Sequence, residues 1–341
     1  MKKLVRLALR FFAVLAISAI GVIILVLAAP YQGFPGETFV RIERGIGTTG
    51  IAQTLAGNGI IRFPWAFLMM RALRPSAKLQ AGEYRFTGPD SVRDIFDRIA
   101  RGDVYYFEFT VPEGSSMFDI AHSLEAQNVM SAADFLEAAS DPAAIHDLDA
   151  SAPNLEGYLF PSTYRLSHGV TAHGLSKEMT DQFRKEWKKL AADKTADVHK
   201  AVTLASMVEK ETGVAAERPL VAGVFVNRLA KGMHLDCDPT TIYAALLENH
   251  YRGKIHRSDL ASSNPYNTYQ NAGLPPGPIS NPGAEAIAAA ITPAATDYLY
   301  FVAKVSGGGH QFSSSLADHD KAVQQYRRST KNHAKATGKK G

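Results

Sequence analysis

The stretch TLASMVEKETG, residues 203–213, holds the two acids best placed to do chemistry. On a helix, at ~100° per residue, Ala201, Val202, Leu204, Ala205, Met207 and Val208 form a broad apolar arc. Glu209 and Glu211 flank that arc on opposite sides, about 200° apart, so they cannot act as a close pair from one helix. Their neighbours differ. Glu211 follows Leu204, Met207 and Val208 by one or two turns, whereas Glu209 follows Val202, Ala205 and Ser206. Burial raises a carboxyl pKa, and so does the negative end of a helix, which Gly213 marks. Glu211 is therefore the acid expected to keep a proton at neutral pH, the state a general acid needs. The same run also reads as a solvated Glu-Lys-Glu face near a helix end, and periodicity does not decide between the two.

A second candidate is HLDCD, residues 234–238. In a strand, His234, Asp236 and Asp238 would share one face, and all three are metal-ligand types. No HExxH or second His/Asp cluster completes such a site, and Asp238-Pro239-Thr240 reads more simply as a helix start, with Asp238 as N-cap and Pro239 at N1. The third is the polar loop NPYNTYQNAGLPPGPISNPG, residues 264–283. Tyr266, Asn267 and Tyr269 offer flat faces, amides and hydroxyls of the kind that contact sugars. GxSxG, Walker A and HExxH are all missing, which removes the main supports for serine hydrolase, nucleotide-binding and zincin readings. Cys237 is the only cysteine, so neither an intramolecular disulfide nor a Cys-rich metal cluster is available.

These segments need elements to hold them. A chain of 341 residues, 46% hydrophobic and 21% charged, is neither disordered nor a polytopic membrane protein, and its length suits about two domains. The net charge of +4 belongs to residues 1–36, where Lys2, Lys3, Arg6 and Arg10 meet no acid. Residues 37–317 hold 26 basic against 31 acidic side chains, a balance of −5 that offers no footprint for nucleic acid. Between Arg10 and Pro30 run 19 uncharged residues, FFAVLAISAIGVIILVLAA. That length favours a retained membrane anchor over a signal peptide cleaved after Ala28, and the basic cluster keeps residues 1–10 cytoplasmic. Residues 45–60 and 114–129 echo each other at an offset of 69, each a Gly turn and a short amphipathic helix after an extended stretch. Further helices are expected at 92–101, 173–195, 198–212, 284–290 and 316–328, with strands at LQAGEYRF, DYLYFVAKV and HQFSS around Gly307. Residues 130–155, small and acidic, suit a surface connection. The fold class is α+β.

The ordered motifs LEGYLFPSTY (155–164), ASMVEKET (205–212), VFVNRL (224–229), DPTTIY (238–243), YNTYxxxGLPPGPIxNPG (266–283), YLYFV (298–302) and GxHxF (308–312) resemble the YceG-like endolytic murein transglycosylases. The likeness runs from about residue 37 to 328. It implies a single transmembrane helix (11–29) after a cytoplasmic tail (1–10), a small LysM-like α+β module (37–110), a larger α+β catalytic domain (111–328) and a basic tail (329–341). It also implies a lyase of the bacterial cytoplasmic (inner) membrane, with its catalytic domain outside the cytoplasm, that cleaves MurNAc–GlcNAc β-1,4 bonds within glycan strands and leaves 1,6-anhydro-MurNAc ends. The family's catalytic glutamate, the second of E-K-E, falls on Glu211. Tyr266, Asn267 and Tyr269 become expected groove contacts, with Asp238 and Glu156 orienting the site. No cofactor or metal is implied. The partners are peptidoglycan strands, the membrane and cell wall synthases. Cys237 departs from the polar residue that members often carry there.

Overall fold

The N-terminal basic cluster and the uncharged run after it form α1 (Lys2–Ala28), 27 residues long, whose described side chains are exposed along nearly its whole length. At 1.5 Å per residue the helix is about 40 Å long, enough for a hydrocarbon core of about 30 Å. It is the one described helix long and apolar enough to cross a membrane. The structure, a computed structural model, describes residues 2–192, 196–305 and 308–337. Residues 193–195 of the expected long helix, Gly307 and the last four residues of the basic tail lie outside the described residues.

The chain divides into two compact units, Met1–Glu108 with Arg165–Gly169, and Phe109–Tyr164 with Val170–Gly341. In the first, α1 leads to β1 (Thr38–Ile42), α2 (Thr48–Gly57), α3 (Pro64–Leu73), β2 (Gly82–Phe86) and α4 (Val92–Arg101). β1 pairs antiparallel with β2, Thr38 opposite Phe86 and Ile42 opposite Gly82. Strand alternation turns Val40, Ile42, Tyr84 and Phe86 onto one buried face, where they meet Leu55 of α2, Phe67 of α3 and Phe96 of α4. Ser91 caps α4 by accepting the Asp94 N–H at 3.1 Å, and Gly102 ends it at φ 71°. Val26 and Leu27 of α1 pack on this core.

β3 (Phe107–Thr110) pairs with β4 (Thr163–Leu166), and the unit boundary crosses both strands. Between them stand α5 (Met117–Ala126) and α6 (Ala132–Ser140), and after them α7 (Ala172–Leu190), α8 (Val198–Glu211), α9 (Arg218–Ala230), α10 (Asp238–Leu247), the one-turn α11 (Arg257–Leu260) and α12 (Ala284–Ile291). The hairpin β5 (Tyr300–Ala303) with β6 (His310–Ser313) and the helix α13 (Leu316–Thr337) complete the second unit. Its centre is α8, buried at every position from Ala201 to Val208 and packed by α9 and α12. The alanines of α12 let it approach closely.

Two expectations need correction. Residues 130–155 are not a plain surface connection. Phe135, Ala138 and Ala139 recur at helical spacing, and α6 buries all three, with Ile145 buried after a short 3₁₀ turn. The terminal helix runs on to Thr337 instead of stopping at Arg328, because no glycine or proline interrupts it before Gly338. The two echoing segments form α2 and α5, each after a strand, but in different units.

Candidate active site

Two sets of hydrogen bonds fix the end of α8. Ser206 Oγ donates to the Thr203 carbonyl at 2.7 Å and accepts the Ile279 N–H at 3.0 Å, while Ser280 Oγ donates to the Ser206 carbonyl at 3.1 Å. Asn281 then ties the 280s to the start of α5. Its amide donates to the Ser115 carbonyl at 2.9 Å and to Glu156 at 2.7 Å, and its side-chain oxygen accepts the Gly157 and Leu159 N–H groups. The last turn of α8 is thus held before its two acids diverge.

Glu209 and Glu211 do point to different surroundings. The side chain of Glu209 is only 6% exposed, takes the Gly283 N–H at 2.9 Å and pairs with Arg218 at 3.0 Å. It is no solvated face. Glu211, half-buried at the helix end, accepts the Cys237 thiol hydrogen at 3.1 Å on Oε1, and no other described donor reaches it. Burial raises its pKa and the charge of Asp238 adds to this, against lowering contributions from the Cys237 S–H, His310 and Arg228; the net shift is upward. Cys237 is itself positioned by the polar loop. Its N–H donates to Thr268 Oγ1 at 3.1 Å, and its carbonyl accepts Thr240 Oγ1 at 2.7 Å. Burial and the adjacent carboxylate push the Cys237 thiol well up, so it stays protonated and able to donate.

Glu211 faces a cleft of about 460 Å³ whose wall includes Arg228, Asp238, Tyr269, Tyr300 and His319. α10 begins at Asp238, one residue earlier than expected, with Cys237 as N-cap and Pro239 one position further in. That frees the Asp238 carboxylate to accept the Tyr269 hydroxyl at 2.7 Å. Asp236 stands at φ 49°, so the 234–238 alternation is broken, and its carboxylate pairs with Arg228 at 3.1 Å. Arg228 also donates to the carbonyls of Leu299 and Leu235, and lies 5.2 Å from the Tyr300 ring centroid. His319 stacks on Tyr300 at 5.1 Å, and burial lowers its pKa.

Of the expected site residues, Glu211, Asp238 and Tyr269 meet at this cleft. Tyr266, Asn267 and Glu156 are not among its lining residues. Tyr266 is buried against the Tyr243 ring at 5.0 Å. Asn267 is fully buried; its amide donates to the carbonyls of Asp259, Leu260 and Ser262, and its oxygen accepts the Tyr269 N–H. Its work is to shape the loop that presents Tyr269. Glu156, also fully buried, accepts the Met117 N–H at the start of α5, and burial pushes its pKa up to about 8. Arg228, Tyr300 and His319 were assigned no role from sequence. The first two sit inside the VFVNRL and YLYFV motifs, which could have drawn attention to them; His319 carries no such signal.

The profile of the YceG-like family matches residues 40–325. The chain belongs to the YceG-like family. Its relatives include the protein named endolytic murein transglycosylase of Bacillus subtilis, 34% identical over 306 residues and covering 84% of both chains. The protein of the same name in Streptococcus pneumoniae is 29% identical over 84% of this chain and 58% of its own. Among solved structures, a yceG-like protein of Listeria monocytogenes superposes with a TM-score of 0.56 at 31% identity, over 84% of this chain and 98% of that one. The match spans every residue of the cleft and leaves out α1 and the part of α13 beyond residue 325.

Proposed function

We propose that this YceG-like chain is a membrane-anchored endolytic murein transglycosylase, and that Glu211 is its general acid and base. One observation carries the reading: a single desolvated carboxyl, held by a thiol instead of an ion pair, on the wall of an open cleft. Glycosidases that use water generally need two carboxylates. Here Asp236 is engaged by Arg228 and Asp238 by Tyr269. Protonated Glu211 donates to the GlcNAc O4 as its bond to MurNAc C1 breaks. The MurNAc 6-hydroxyl closes on C1, and the Glu211 carboxylate takes the hydroxyl proton. Glu211 ends protonated, as it began, and no water is consumed.

Asp320, on α13, lines the same cleft. If it activated water, the new end would be reducing MurNAc. Digesting purified sacculi with the full chain and weighing the soluble products by mass spectrometry tests the reading. Anhydro-ended muropeptides are expected; reducing ends would transfer the chemistry to a hydrolase.

The exposed α1, with four basic residues and no acid in its first turns and an apolar run after them, supports a single-pass anchor in the bacterial inner membrane with its N-terminus inside and the chain after α1 outside. The order β1-α2-α3-β2, two helices between paired antiparallel strands, supports a LysM-like module that binds glycan. An enzyme that cuts within strands acts beside the cell wall synthases that make them.

A further inference from the structure

The outer face of α3 is apolar where a water-facing helix would be polar. PWAFLMMRAL has one polar side chain, Arg71. Ala66, Phe67 and Met70 face the core of the first unit. Trp65, Met69, Ala72 and Leu73 form a second apolar arc on the other side, with Trp65 43% and Leu73 65% exposed. Phe63, 38% exposed, stacks on Trp65 at 5.9 Å and extends that arc at its N-terminal end. A helix apolar on both faces has a second apolar partner.

Two observations identify the partner. The first is continuity with the membrane helix. α3 packs against α1, and a small cavity of about 190 Å³ is shared by Leu25, Ala29 and Tyr31 at the end of α1 and by Arg62 and Phe63 at the start of α3. Leu25 stands about one helical turn inside the end of α1. Phe63 therefore stands beside the last turn of α1, the place along a spanning helix where aromatic side chains favour the interface. The second is charge. No acidic residue occurs between Glu43 and Glu83, while Arg62, Arg71, Arg74 and Lys78 surround α3. Arg74 is satisfied by Asp97 and Arg71 by the Ala77 carbonyl, whereas Arg62 lies over the Phe63 ring at 5.4 Å, beside the apolar arc. Aromatic and aliphatic residues in the plane, with cations at the margin, match a surface of anionic lipid headgroups.

We propose that α3 lies on the outer leaflet of the membrane as an interfacial helix, inserting Phe63, Trp65, Met69 and Leu73 beside the exit of α1. This rests on α1 as the membrane span. With two contacts instead of one, the first unit cannot swivel freely about the residues following α1.

The two tryptophans allow a direct test on the full chain, because Trp187 is buried in the second unit. The protein with Trp187→Phe, which leaves Trp65 as its only tryptophan, is reconstituted into vesicles of phosphatidylcholine and phosphatidylglycerol carrying bromine at shallow or deep chain positions. Shallow bromines should remove about half of the Trp65 emission and deep bromines much less, as suits burial of about 5–10 Å. Trp65→Phe, which leaves only Trp187, should show no quenching, and Leu73→Glu should weaken the Trp65 signal. Resistance to alkaline extraction is measured on the same samples. Alkali-resistant protein whose Trp65 is unquenched overturns the interfacial helix and leaves the span intact. Trp65 shielded from acrylamide yet untouched by bromine assigns the face to a protein partner and also overturns the proposal. Protein that washes off the vesicles overturns both.

Discussion

Burial and the charge of Asp238 hold the Glu211 pKa up, while the Cys237 thiol hydrogen is the largest influence pulling it down. A general acid works only while protonated, so kcat/KM should fall as pH rises through this pKa. Cys237→Ala removes a stabiliser of the carboxylate, and the alkaline limb of the pH profile should move to higher pH; Cys237→Ser, which keeps a donor, should leave it near its original position. An unmoved limb in Cys237→Ala would show that the thiol does not tune the acid. Glu156 makes a second pH prediction, in stability. Its pKa in the folded protein, about 8, stands above the ordinary 4.5, so its contribution is full at low pH and is lost as pH rises from 4.5 through about 8. At 1.36 kcal/mol per pKa unit, the loss is on the order of 5 kcal/mol. Urea midpoints at pH 5 and pH 8.5 should separate for the parent and converge for Glu156→Gln; a parent that is equally flat would contradict the buried-acid account. The apolar surroundings of Glu211 were legible in the sequence because those neighbours come from its own helix. The burial of Tyr266 and Asn267 was not, because a loop side chain's direction is decided by partners such as Tyr243 and the Ser262 carbonyl, which no local pattern reveals.

Among the elements, α8 is the one that everything else positions, and Glu209 is its principal tie. Its carboxylate joins α8 to Arg218 on α9 and to the Gly283 N–H at the start of α12, and Arg218 also reaches Glu285 and Glu113. Glu209→Ala should cost about 1.5–3 kcal/mol, a fall in melting temperature of roughly 5–10 °C, without changing the chemical identity of the products. An unchanged melting temperature would mean that Arg218 is held well enough by its other carboxylates. The hairpin β5–β6 is fixed in a similar way: Glu217 accepts both the backbone N–H and the ring nitrogen of His310 at 2.8 Å, and Gly309, at φ 134°, leaves no room there for a Cβ. Helices with strong local signals, such as α4 between Ser91 and Gly102, were readable from sequence. α6 was not, since its small residues gave a weak apolar stripe whose meaning depends on what packs over it.

At the scale of the whole molecule, a first unit that begins with the long apolar α1 is followed along the chain by a second unit carrying the cleft. The long apolar helix at the N-terminus could be read from charge and hydropathy, whereas the return of Arg165–Gly169 to the first unit could not, because five residues carry no composition shift. Full-length protein in membranes should resist alkaline extraction, and a soluble product beginning near Ala29 would show instead that the segment is cleaved. The most direct test of the central claim compares Glu211→Gln with the parent on purified glycan strands, counting anhydro-MurNAc ends by mass spectrometry and checking the fold by circular dichroism. Gln preserves shape but cannot carry a proton, and one residue serves both proton transfers. The account therefore predicts a folded protein whose rate falls by at least about 10⁴. A folded Glu211→Gln protein that still produces anhydro ends at near the parent rate would contradict it.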